Sequence, residues 1–541
     1  MSAQANGMRF SAGAILVGAT LFACLLAGPG LTVTASYVND LFIFLDGAHR
    51  IDWGQIPNRD FHTALGPLSF YIPALGYWIS GTMGGAMPYG MALVTLFLAP
   101  PIAHVIGSRL QPVIGIPYGL FLLLVLAVPA NLGESVTALS FAMFYNRIGW
   151  AALGALLIMY LRPIRPMRWQ NALDAFSATV LIVVMLYTKI TYGLVALAFL
   201  AFLLLDARQR GWAAAAFGLT LLCGLVIEAF WQSTSAYFDD LALTGRVSGS
   251  RGIVDLASAL LRHLADFSLL AIFALLVLWR TRSLPDLLFF GFCTLPGLMI
   301  QSQNSQPWGI LTIHAGAAAA AQMLLHLPAH PPGRGAKLAV FGSGSPLLLM
   351  ALILPTLLHC AMALGFHTTL ALAKAGQAFD LPRFGEIRLI SPWLSRERTM
   401  MHAYLASIEE GARGLKSLPE KPVKVSVLDF SNPFSAGLDL PPPRGDSAWL
   451  HWGRNINEVH FTHPGKLLAD VEILMLPTWG INNIPLRTLY QTHIDSAFEL
   501  LLENEGWAIY RRKNPEVAAK DAPSGNAGPY SWLRLGDGFR P

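Results

Sequence analysis

The chain has 541 residues, 54% of them hydrophobic and only 13% charged, whereas a soluble domain carries about 25% charged residues. That composition excludes an ordinary water-soluble enzyme and points to a polytopic membrane protein. The net charge of +5 does not signal nucleic-acid binding, because many basic residues fall in short connections between apolar runs, where they report orientation instead.

From Ser11 to Asn39 no charged residue occurs, which is enough for a spanning helix of about 20 residues. The length of the run and the lack of a small-residue cleavage site favour a span over a cleaved signal peptide. Further runs of spanning or near-spanning length fall at 88–108, 111–130, 147–161, 172–187, 190–205, 212–231, 265–280, 285–301, 308–327 and 345–366. With the first at 11–33, that predicts about 11 transmembrane helices.

An inside N-terminus puts Arg109, then Arg162, Arg165 and Arg168, then Arg208 and Arg210, then Arg280 and Arg282, then Arg334 and Lys337 in cytoplasmic connections. This requires the apolar stretch Leu65–Ser80 not to cross. Its Gly66-Pro67 start, its Pro73 and the aromatic Tyr71, Tyr77 and Trp78 suit a helix lying at the outer interface. Segments 34–87, 131–146 and 232–264 then face outward.

Near residue 367 charge and turn residues return, which predicts a small α/β domain outside the cytoplasm over 367–513, following a membrane domain over 1–366. Val423–Asp429, Val471–Leu476 and Trp507–Arg511 read as strands, and Arg398–Lys416 and Leu486–Leu502 as helices. The tail 514–541 has the composition of a disordered segment. Cys24, Cys223, Cys293 and Cys360 all lie in apolar runs and read as small buried hydrophobes. No Walker loop, GxGxxG after a strand, HExxH or GxSxG occurs, so a soluble cofactor enzyme has no support.

Chemistry concentrates in the first outward loop, SYVNDLFIFLDGAHRIDWGQIPNRDFHTALGPLSFY over Ser36–Tyr71. It sets Asp40, Asp46, His49, Arg50, Asp52, Arg59, Asp60 and His62 at a boundary where partial desolvation tunes a carboxylate towards working pH. A solvated juxtamembrane helix is the alternative. Tyr145-Asn146-Arg147 at the start of one span and Lys189 at a break between two others are polar groups at the same boundary. They serve either as ligands or as interfacial anchors. Gln303 and Asn304 offer uncharged partners for sugar hydroxyls, or form a plain turn. His451-Trp452 and Trp479 read as a glycan platform or as core aromatics.

Asp40 after the first span, followed by GQIPNRDFHTALGPLSFYIPALGYW, resembles the first external loop of the GT-C superfamily of polytopic glycosyltransferases. That superfamily includes protein O-mannosyltransferases and lipid A aminoarabinose transferases. The order of parts is similar through most of the chain. Members commonly carry an acidic pair after the first helix, where this chain has Asn39-Asp40.

The resemblance implies a GT-C-like fold in a bacterial inner membrane and an inverting transfer of sugar from a polyprenyl-phosphate donor to a hydroxyl of a lipid, glycan or protein acceptor. Asp40 would be the general base. Asp60 would be a second carboxylate, binding the acceptor or holding a cation near the leaving phosphate, against the alternative of a turn cap after Pro57-Asn58. Arg50, Arg59, Arg147 and Lys189 would receive the lipid phosphate, with His62, Tyr145, Asn146, Gln303 and Asn304 completing the substrate site. No protein metal site is expected, and a divalent cation is the one cofactor the resemblance admits. The rival readings are a polyprenyl-diphosphate glycan ligase or polymerase, a lipid or sugar transporter, and a scaffold with an inert membrane part.

Overall fold

The computed structural model describes residues 3–249, 252–303, 309–326, 336–391, 396–480 and 482–513. Asn304, Arg334 and the tail 514–541 lie outside the described residues. The chain is an integral membrane protein built mainly of helices.

In chain order, α1 (Ala3–Ala27) leads through β1 (Thr32–Thr34) to α2 (Val38–Asp52) and α3 (Leu68–Ser80). The bundle continues with α4 (Met83–Arg109), α5 (Pro112–Ala127), α6 (Phe144–Leu157), α7 (Gln170–Thr188), α8 (Ile190–Leu203) and α9 (Arg210–Trp231). Then come α10 (Thr234–Ser248), α11 (Ile253–Arg262), α12 (Leu264–Thr281), α13 (Leu284–Gln303), α14 (Leu311–His326) and α15 (Ala336–Leu372). Every apolar run marked out in the sequence forms a helix. Seven of the helices are, among the described residues, long and apolar enough to cross a membrane by length and composition.

Polar contacts sort the helix ends into two sets. At one end Arg109 forks onto Asp174 at 2.9 and 2.7 Å, and its Nε donates to the Leu161 carbonyl. Arg162 pairs with Asp206 at 2.9 Å, Tyr160 donates to Asp286, and the Gln111 N–H donates to Gln322. At the other end Lys189 donates to Asn146, Trp231 donates to the Pro57 carbonyl, and His367 accepts from the Val33 N–H. Successive bundle helices therefore alternate in direction, and the described basic connections gather at the Arg109 end.

Helix α3 does not break this alternation. It starts where the Gly66 N–H and the Ser69 hydroxyl donate to the Thr188 carbonyl, and it ends where Trp78 donates to Asp52. Both contacts belong to the Asp40 end, so α3 does not cross the bundle, as the sequence expects, and it packs along the start of α4.

Glycine makes that hairpin possible. A Cβ on Gly76 would sit 1.9 Å from the Ala86 carbonyl oxygen and 2.5 Å from the Gly90 nitrogen. Both obstacles are backbone, so no side chain can move aside. Gly76→Leu is expected to cost more than the roughly 3 kcal/mol at the upper end of overpacking and to abolish the monodisperse species in size-exclusion chromatography. Gly218 in α9 has nothing within 4 Å, and Gly218→Ala, the control, is expected to elute as wild type.

Beyond α15 lie two small sheets. In the first, β1 pairs in parallel with β3 (Ile387–Leu389), which also pairs with β2 (Gln377–Ala378), so the first loop is stitched to the C-terminal region by main chain. The second has the order β4 (Val425–Val427), β5 (Ile473–Pro477), β7 (Trp507–Arg512), β6 (Phe498–Glu503). Helices α16 (Arg396–Lys416), α17 (Pro433–Leu438), α18 (Pro464–Leu467) and α19 (Asn483–Ala497) accompany these strands. The helix expected over Leu486–Leu502 ends at Ala497, and Phe498 opens a hairpin with β7. Asn504 turns that hairpin by accepting the N–H groups of Gly506 and Trp507, and cross-strand pairing outweighs the helix propensity of the Leu-rich run.

Candidate active site

Helix α2 is the element that positions the site, and its sequence leaves almost no exposed face. Residues 41–51 are buried because the bundle covers one side and the C-terminal domain the other. Towards the bundle, Phe44 meets Phe144 edge-on at 4.8 Å, and Gly47 leaves room for the Phe70 ring. Towards the C-terminal domain, Phe42 stacks on Phe384 at 5.3 Å and meets Phe379 at 5.4 Å.

Asp40 stands in the first turn of α2, after Tyr37 in a left-handed conformation (φ 53°). Burial pushes its carboxyl up to about 7, opposed by the Arg454 guanidinium and assisted by the nearby Glu134 carboxylate. Tyr37 donates to Glu134 at 2.7 Å. At the same end of the bundle, Lys189 occupies the break between α7 and α8. Its Nζ donates to Asn146 Oδ1 at 2.9 Å and lies 5.2 Å from the Tyr145 ring centre and 5.9 Å from that of Tyr192. Burial, reinforced by Arg454, lowers Lys189 to about 7.

Asp40, Tyr145, Asn146 and Lys189 thus stand at one end of the bundle, as the sequence expects. Arg454, which sequence reasoning missed, joins them electrostatically from the C-terminal domain. Its Nη2 reaches the Gln303 carbonyl at 3.5 Å, its guanidinium lies 5.9 Å from the Trp449 ring centre, and its own carbonyl accepts from Ser248 at 2.6 Å. These contacts pin it at the seam between α10, α13 and the C-terminal domain.

Other sequence candidates are committed elsewhere. Arg50 is fully buried: Nε donates to Asp46 at 2.7 Å, and Nη1 and Nη2 fork onto Asp446 at 2.7 and 3.0 Å. Asp60 accepts from the Ile56 N–H at 2.7 Å and from Arg444 at 2.7 Å, the turn cap that was the alternative reading, with Arg59 at 3.5 Å. His62 bonds Asp240 of α10 at 2.8 Å, and Asn58 and the Thr63 N–H hold the other Asp240 oxygen. Arg147 is buried and turned to the Ala130 and Ala142 carbonyls, with Nε and Nη2 lacking partners among the described residues. Gln303 contributes its carbonyl rather than its side chain to the Arg454 contact.

His49 donates through Nε2 to the Leu440 carbonyl at 2.7 Å and receives Arg383 at Nδ1 at 2.9 Å, and burial lowers it to about 4. Both ring nitrogens are used, so it is not a ligand. Among the described residues no three His, Cys, Asp or Glu side chains converge on a point that could hold a metal ion.

No family model and no curated protein matches the chain. Among solved structures, ArnT from Cupriavidus metallidurans in the apo state is similar over 93% of this chain and 98% of its own, at 14% identity and a TM-score of 0.45. The same protein bound to undecaprenyl phosphate is similar over 92% of this chain and 97% of its own, at 14% identity and a TM-score of 0.42. The Archaeoglobus fulgidus oligosaccharyltransferase in complex with Zn and sulfate is similar over 92% of this chain and 73% of its own, at 13% identity and a TM-score of 0.43. The similarity to these two proteins spans nearly the whole of this chain.

Proposed function

We propose that the chain is an inverting GT-C-type glycosyltransferase that moves one sugar from a polyprenyl-phosphate donor to an acceptor hydroxyl at the outer face of a bacterial inner membrane. The observation that supports this reading is a buried carboxylate, Asp40, within reach of the Arg454 guanidinium and of Tyr145, the ring that also carries the Lys189 ammonium at 5.2 Å, at one end of an apolar bundle. Basic connections at the Arg109 end support a cytoplasmic location for it, which puts Asp40 and the C-terminal domain outside.

The acceptor oxygen attacks the anomeric carbon while Asp40 takes its proton. The anomeric C–O bond to phosphate breaks on the opposite side, which inverts the centre. The departing polyprenyl phosphate carries the electron pair, and Lys189 and Arg454 neutralise the charge it gains. Asn146 and the Tyr145 ring hold the Lys189 ammonium in place. Arg50 and Asp60 act in this scheme as structural residues that seat the C-terminal domain on the loop.

The test is release of polyprenyl phosphate from polyprenyl-phosphate sugars by the purified chain in proteoliposomes. Release that requires Asp40 and Lys189 is expected, and no release from any hexosyl or pentosyl donor overturns the proposal. Counterflow of donor without a covalent product would favour transport.

A pH profile follows from the two shifted groups. Asp40 becomes a competent base as pH rises through about 7, and Lys189 loses its charge as pH rises through about 7. kcat/KM is expected to peak near neutrality, with an alkaline limb that belongs to Lys189. Lys189→Arg keeps the charge at all working pH and is expected to remove that limb while leaving the acid limb in place. An unchanged alkaline limb in this variant would separate Lys189 from the leaving group.

A further inference from the structure

The C-terminal domain presents a group of residues to α2 that the transfer step does not use. Tyr404 of α16 lies with its ring 6.4 Å from that of Phe42, two residues along α2 from Asp40. Its other edge meets Trp479 at 6.5 Å and 87°. Trp479 is 41% exposed, a large flat apolar surface left to solvent beside a polar site. Next to it runs Gly480, with φ +134°, and a Cβ there would stand 3.8 Å from Asp429 Oδ2. The backbone at 480 is one that L side chains rarely adopt, which favours glycine beside this carboxylate. The Asp429 carboxylate is eased by the Phe430 N–H and the Asn482 amide, while its Oδ1 is buried without a direct hydrogen-bond partner among the described residues.

We infer that Tyr404, Asp429 and Trp479 form the acceptor subsite and that the acceptor is a carbohydrate, presented with one hydroxyl towards Asp40. This rests on the reading of Asp40 as the base and names the substrate class that the reading leaves open. A pyranose offers an apolar C–H face, which suits an exposed indole, and hydroxyl donors at its rim, which suit an acceptor-only carboxylate. The unpartnered Asp429 oxygen lacks the donor that a sugar hydroxyl supplies, and a buried acceptor without one costs free energy. Burial raises Asp429 above the ordinary carboxylate range, which a hydroxyl donor would relieve. None of the three residues is basic, which suits a neutral sugar better than the phosphorylated headgroup of an anionic lipid. Tyr404 lies within electrostatic reach of both carboxylates, Asp429 and Asp40.

The test uses the full chain in nanodiscs and saturation-transfer NMR with neutral tri- and tetrasaccharides of glucose, mannose, galactose and arabinose. At least one is expected to take up saturation. Trp479→Ala is expected to weaken that saccharide by about fivefold or more, and Trp479→Phe to retain most of the binding. Asp429→Asn, which swaps an acceptor-only group for a mixed one, is expected to weaken it by about threefold or more with no loss of melting temperature.

Absence of saturation from every saccharide overturns the inference, as does saturation that neither Trp479→Ala nor Asp429→Asn reduces. Saccharide binding that depends on Trp479, together with wild-type transfer by Asp40→Asn, would instead sink the assignment of the base and leave the subsite standing.

Discussion

Asp40→Asn is expected to lower sugar transfer by about 10²–10⁴-fold, the range a general base supplies, while the protein stays folded and inserted. It is also expected to make the protein more stable at pH 8, which an ordinary structural carboxylate would not do. The folded carboxyl sits near 7, above its value of 3.8 in an unfolded chain, so its contribution to stability is complete below about pH 4 and lost as pH rises through about 7.

The full shift corresponds to roughly 4 kcal/mol at 1.36 kcal/mol per pH unit, and the partial exposure of the Asp40 side chain brings the expected gain nearer 1–2 kcal/mol. An amide has no charge to desolvate, so the variant's advantage should vanish at pH 4. Paired melting curves at pH 4 and pH 8, with transfer rates on the same preparations, test both halves. A variant that loses activity and also loses stability at pH 8 would point to a structural role for Asp40. A variant that transfers at the wild-type rate would remove it from the chemistry.

Much of this arrangement is legible in the sequence because the relevant signals are local. A charge-free run followed by Asn39-Asp40 marks a helix end and a carboxylate at a boundary, and the break around Lys189 marks another helix end at the same level. That α3 does not cross is readable from its Gly-Pro start and from the sign of the connections, since counting it as a span would reverse Arg162, Arg165 and Arg168. The residues that escape share the opposite property. Arg454 lies about 400 positions from Asp40, and no periodicity or spacing connects Trp452-Gly453-Arg454 to the first loop. The same distance hides the fate of Arg50 and Asp60. Each reads as a free charge beside the site until Asp446 and Arg444, which only the fold brings near, are seen to take them. In the C-terminal domain the run Phe498–Glu503 carries helix-forming Leu and Glu, and pairing with Trp507–Arg512 makes it a strand instead.

The commitment of Arg50 carries its own large consequence. Its guanidinium is fully buried between Asp46 of α2 and Asp446 of the C-terminal domain, with further bonds to the Pro443 carbonyl at 2.9 Å and to Gln55 at 3.4 Å. Asp446 in turn accepts from Ser426 of β4, so one side chain ties the loop to the second sheet. Arg50→Met removes one cation and strands two buried carboxylates, and breaking a buried pair in this way costs about 3–5 kcal/mol. The expected result is release of the C-terminal domain from α2, seen as rapid proteolysis within 373–513 and a lower melting temperature. Sugar transfer should fall with it, because Arg454 would no longer be held opposite Asp40.

The cost arises from the stranded charges rather than from loss of net attraction, and that distinction can be tested. The triple variant Arg50→Met, Asp46→Leu, Asp446→Met places apolar groups of similar size at all three positions and is expected to recover most of the lost stability, since such replacements are often neutral. Recovery of stability in the triple variant with recovered transfer would mean that docking alone is what the ion triad contributes. If Arg50→Met alone were as stable and as protease-resistant as wild type, the triad would not hold the domain, and β1–β3 pairing would have to carry the attachment.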